Sequence, residues 1–119
     1  PQGFGYMEIP QVFVMEGRWH LLFSAPAWAQ TGRSGPRCTG TFHAVADRVA
    51  GPYEELAPLF CDDKESLYGG KVVVTGRGLS ALAFRHLDPK GGFVGALTDP
   101  MPVELAADGT LSLVESLPH

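Results

Sequence analysis

Short apolar runs alternate along this chain with clusters of Gly, Pro, Asp and Arg, and nowhere do apolar residues recur at helical spacing between convincing caps. Residues 12–15 and 19–23 flank the turn signal Glu16, Gly17 and Arg18, so the pair reads as a β-hairpin whose first apolar run is expected to be buried. Residues 39–46 alternate small, β-branched and aromatic types and predict a third strand, ended by Asp47 and Arg48. A fourth opens at Tyr68, runs through Val72, Val73 and Val74, turns at Gly76, Arg77 and Gly78, and returns over residues 79–84. The Asp88, Pro89, Lys90, Gly91, Gly92 turn leads into a strand at residues 93–97. A last hairpin joins residues 103–106 to residues 110–114 through Ala107, Asp108 and Gly109. Residues 25–37 read as a loop, and residues 54–67, with Glu54, Glu55, Asp62, Asp63 and Glu65, as an irregular solvated crossing.

About eight short hairpin-joined strands exclude an α/β fold and predict an all-β protein: a sandwich, a barrel or propeller blades. A four-stranded antiparallel blade takes about 40–50 residues, so residues 1–119 are expected to hold two, forming one partial β-propeller. Two blades cannot close a ring. Each would leave an apolar face and sheet edges to be covered by further blades of a longer chain or by copies of this one, as a homo-oligomer. A self-contained sandwich is the alternative fold.

Composition narrows the class. With 45% apolar residues and a net charge of −4 from 9 basic and 13 acidic side chains, this is a soluble globular chain without a basic cluster, which argues against a nucleic-acid partner. No apolar run approaches the roughly 18 residues that would span a bilayer, so no membrane partner is expected, and the compartment, cytoplasmic or secreted, is left open. An opening of Pro1, Gln2 and Gly3 instead of an initiator methionine suggests a processed or trimmed piece. Cys38 and Cys61 lack zinc or redox spacing; two thiols are the default, and a disulfide is the alternative in an oxidising compartment. His43 has no carboxylate or cysteine at ligand spacing and is read as packing, and the acidic stretch lacks a calcium-loop pattern, so neither metal nor cofactor is expected.

The chemistry concentrates at Glu8, two places before Pro10, where a carboxylate stands at a strand entrance. Glu-Ile-Pro-Gln-Val-Phe followed by Gly-Arg-Trp-His-Leu-Leu-Phe-Ser resembles the acid/base segment of glycoside hydrolase family 32, the β-fructosidases, with Ile9 where that family usually has cysteine. Family 43 glycosidases carry a similar Glu-x-Pro hairpin, and the segment does not separate the two. Further likenesses follow in order: Gly51-Pro52-Tyr53, the strand at Tyr68 (where Gly69 replaces the usual alanine), and Leu97-Thr98-Asp99-Pro100, which is structural in the family.

The resemblance implies a five-bladed propeller and retaining hydrolysis or transfer of β-linked fructosyl units, with Glu8 as general acid/base. It implies that Tyr68 and Lys71 hydrogen-bond sugar hydroxyls. Trp28, in the middle of the long loop, offers a flat apolar platform for a sugar ring, or simply anchors the loop. The nucleophilic Asn-Asp-Pro-like motif and the Arg-Asp-Pro motif of the family are absent from these 119 residues. An isolated chain is therefore expected to be inactive, and a non-catalytic carbohydrate-binding or structural blade module that self-associates is the alternative.

Overall fold

The computed structural model describes residues 2–33, 37–76 and 78–114. Arg77 of the second turn, residues 34–36 of the long loop, Pro1 and the tail at residues 115–119 lie outside the described residues. Among the described residues, nine strands form two antiparallel sheets. In the first, β1 (Glu8–Met15), β2 (Arg18–Ala25), β3 (Thr39–Ala46) and β4 (Glu54–Asp62) lie in chain order. In the second, β5 (Leu67–Thr75), β6 (Gly78–Leu87), β8 (Met101–Leu105) and β9 (Leu111–Leu113) follow one another, and β7 (Phe93–Leu97) pairs the far end of β6. These are the two expected blades. The only helical turn among the described residues is the 3-10 segment Ala27–Ala29.

Local chemistry explains the first hairpin. Met15 pairs Arg18, leaving Glu16 and Gly17 as a two-residue turn with φ of 50° and 78°, the left-handed pair whose twist matches two antiparallel strands. The burial expected of β1 is not found: Val12 and Val14 are 44% and 53% exposed, because successive side chains of an edge strand point to opposite faces and only Gln11 and Phe13 turn toward the second blade.

Two further expectations need correction. Residues 54–62 are not an irregular crossing but the edge strand β4, and the crossing shrinks to residues 63–66. Pro58 sits where the register with β3 slips between Thr41 and His43, at a bulge on an edge where no ladder donor is required. The third strand of the second blade comes in two pieces, β7 and β8. Between them Thr98 keeps the connection to Ala83, through its N–H at 2.9 Å and its hydroxyl at 3.2 Å, while Asp99 and Pro100 step out of the ladder. Cys38 and Cys61 are joined in a disulfide between the start of β3 and the end of β4, with Cα atoms 5.4 Å apart. Thr39 and Asp62, their neighbours, are register partners, so the antiparallel ladder itself brings the sulfurs together.

The core lies between the blades. Leu22, Phe60, Leu67, Val72, Ala81 and Leu111 pack there, and each fully buried large side chain contributes about 1.5–3 kcal/mol. Polar groups fix the relative position of the sheets. The Gln11 amide donates to the Val72 carbonyl and accepts from the Val72 N–H, both at 2.8 Å, bridging β1 and β5. Ser24 and Thr41, bonded to each other at 2.8 Å, accept the Gly69 and Gly70 N–H groups at 3.1 and 2.9 Å. His43 is buried packing, as its sequence context predicts: its Nε2 meets His20 Nδ1 at 2.9 Å, with Phe13, His20 and His43 stacked in a row.

Candidate functional site

Two bulges build the site. On β1 the register with β2 slips between Glu8 and Gln11, where Ile9 has φ of 49° before Pro10. A β-branched residue in the left-handed region costs about 1–3 kcal/mol and survives only where its surroundings hold it. Here the Lys71 ammonium donates to the Ile9 carbonyl at 2.6 Å. On β5 the register with β6 slips between Tyr68 and Lys71, with Gly69 at φ of 66°. A Cβ on Gly69 would stand 3.1 Å from Ile9 Cδ1 and 3.3 Å from Phe84, so the two bulges nest and glycine is required at the contact. Both irregularities re-aim side chains at the same end of adjacent strands.

The result is that the Tyr68 hydroxyl donates to Glu8 Oε1 at 3.2 Å, across sixty residues of sequence. Around this pair lies a cleft of about 300 Å³ lined by Tyr6, Glu8, Pro26, Trp28, Thr39, Glu65, Tyr68 and His86. Tyr6 and Trp28 meet edge to face at 5.1 Å, and Trp28 is 66% exposed, so its ring is a wall of the cleft and not a plug in the core. Thr39 accepts the Ala27 N–H at 2.8 Å, which ties the Trp28 loop to β3, and donates to Glu65 Oε1 at 3.3 Å. Glu65 is itself held at φ of 55°, at the end of the crossing whose turn is closed by Asp62 accepting the Lys64 and Ser66 N–H groups.

Burial, followed by the Glu8 charge and hydrogen bond, pushes the Tyr68 hydroxyl well above the ordinary tyrosine range. Tyr6 is raised for the same reasons. Tyr68 therefore stays a donor, and Glu8 stands at the rim of the cleft beside a fixed neutral partner. Burial lowers the Lys71 ammonium, whose charge is directed at the strained β1 bulge.

Of the residues singled out from sequence, Glu8, Trp28 and Tyr68 share the cleft, whereas Lys71 supports it from behind and is not among the lining residues. Tyr6, Thr39, Glu65 and His86 were missed as site residues. Tyr6 was legible as the aromatic flanking Glu8; the other three come from β3, the crossing and the extension of β6 to Leu87, and only tertiary packing gathers them. Among the described residues no group of three or more His, Cys, Asp or Glu could hold a metal ion, and no helix is long and apolar enough to cross a membrane.

No protein-family model matches the chain, and no curated protein matches it. Solved structures do. The B. subtilis levansucrase superposes on 92% of this chain with a TM-score of 0.70 at 15% identity, using 28% of its own length. An endo-1,4-beta-xylanase from Bacteroides thetaiotaomicron superposes on 93% with a TM-score of 0.68 at 17% identity, using 38% of its length. A thermostable family-43 glycoside hydrolase covers 95% with a TM-score of 0.66 at 22% identity, using 37% of its length. At such identities the likeness is one of fold: this chain has the all-β architecture of neighbouring blades in propeller glycosidases. It spans between about a quarter and two fifths of these proteins' lengths.

Proposed function

We propose that these residues are two consecutive blades of a retaining glycoside hydrolase acting on fructosides of the sucrose and fructan type, with Glu8 as its general acid/base. The observation that carries this reading is the Glu8–Tyr68 pair at the rim of an aromatic-walled cleft, on a fold shared with propeller glycosidases. Glu8 protonates the departing glycosidic oxygen in its acid form and later removes a proton from the incoming water. Tyr68 orients the carboxyl by donating to Oε1, and Trp28 stacks against the apolar face of the sugar ring. Lys71 acts through the β1 bulge, keeping Glu8 at the rim. The nucleophile, needed about 5–5.5 Å from the acid, comes from further blades, since its motif is absent from this sequence.

The partners that complete the ring cover the apolar side chains left outward on both blades, Val12 and Val14 on the first and Phe93, Val94 and Leu97 on the second. The test is Glu8→Gln in the complete parent enzyme. Turnover of sucrose should fall about 10²–10⁴-fold, while a fructoside with an aryl leaving group that needs no protonation should lose much less. Equal losses on both substrates would remove Glu8 from the acid role, and sucrose hydrolysis by the purified 119 residues would overturn the shared-site reading.

A further inference from the structure

The cleft's hydrogen-bond donors are unequally committed. The Tyr68 hydroxyl is spent on Glu8 and the Thr39 hydroxyl on Glu65, yet a sugar's ring and glycosidic oxygens can only accept. His86 also lines the cleft, at the end of β6, with its backbone N–H on the Ser66 carbonyl and its ring 5.8 Å from Tyr68 and 6.1 Å, edge to face, from Phe93. Its Nδ1 is buried without a partner among the described residues, whereas Nε2 is not in that condition. A buried N–H with no acceptor costs more than a bare ring nitrogen, so the proton belongs on Nε2.

We propose that His86 is a specificity-determining residue of the cleft: its packing fixes the Nε2–H tautomer and presents that N–H to an acceptor oxygen of the bound sugar. The inference rests on the cleft being a sugar site, as proposed above, but the tautomer does not. Tyr68 and Phe93 hold the ring by its sides, so the donor is set before the sugar arrives and little ordering entropy is lost on binding.

The experiment is long-range proton–nitrogen correlation NMR on the complete parent enzyme carrying Glu8→Gln to slow turnover, with 15N confined to these 119 residues by segmental labelling, alone and titrated with sucrose. The free protein should give the Nε2–H pattern for His86, and sucrose should shift His86 together with the Trp28 indole. His86→Phe, which keeps the ring packing and removes the donor, should weaken sucrose binding about 5- to 10-fold, and His86→Gln, which restores a donor, should recover most of it. An Nδ1–H pattern overturns the proposal whatever the sugar does. So does unchanged sucrose affinity in both His86 variants when Trp28→Ala weakens it. If sucrose moves neither His86 nor Trp28, the sugar-site reading fails and this role with it.

Discussion

Acid should loosen the first blade through two imidazoles. Burial and the neighbouring His20 push His43 down from 6.5 to about 4, and burial lowers His20 as well. The charged groups around the pair only partly offset this: Asp108 favours the charged form of His43, while Glu16 and the Met15 carbonyl favour and Arg18 opposes that of His20. In the unfolded chain His43 binds its proton near 6.5, so between that pH and about 4 the unfolded state holds more protons and stability rises with pH. The contribution is complete above about pH 6.5 and drains as the pH falls toward 4. At about 1.4 kcal/mol per pH unit, the full span is worth roughly 3 kcal/mol, of which about 2.5 is gone by about pH 4.5.

The check is urea denaturation of the wild type and of the double variant His20→Phe, His43→Leu, from about pH 7.5 to about pH 4.5. Replacing both partners avoids leaving one nitrogen orphaned, so the variant should be near wild-type stability at neutral pH, lack the imidazole part of the slope, and be the more stable of the two at low pH. Carboxylates titrate equally in both proteins and cancel in the difference. A double variant that loses as much stability as the wild type over this range would refute the reasoning.

Three other outcomes follow from the packing. Gly40→Ala should destabilise by about 3 kcal/mol or more in thermal or urea unfolding, because its Cβ would overlap the Phe60 carbonyl oxygen and stand 2.7 Å from Cys61 Cα, both rigid backbone. Reducing Cys38–Cys61, or replacing both with serine, should cost about 3 kcal/mol for a sequence separation of 23 residues, measured as the shift in urea midpoint with and without reductant. Trp28→Ala should change stability by less than about 0.5 kcal/mol, since the ring is 66% exposed, yet weaken sucrose binding in the cleft.

The turns and hairpins of this protein were legible in its sequence because they depend on near neighbours. Glu16 and Gly17 take left-handed angles because a two-residue turn between antiparallel strands demands them, and residues 39–46 carry the small, β-branched and aromatic types that suit a strand. So was the acidic residue before Pro10, since a carboxylate at a strand entrance is a local feature. Residues 54–62 were misread because a carboxylate-rich stretch with little periodicity looks like a crossing; only the edge position, where neither the missing N–H of Pro58 nor an outward charge costs anything, makes them β4. Val12 and Val14 read as core because sequence does not say which face of a strand another sheet will cover. What the tertiary structure alone decided is the cleft. Tyr68 reaches Glu8, and Lys71 reaches Ile9, through bulges in two different sheets that fit each other only when the blades are stacked. His86, Glu65 and Thr39 join them from β6, the crossing and β3 for the same reason: contacts between distant segments are set by how whole sheets pack, which no short stretch of sequence encodes.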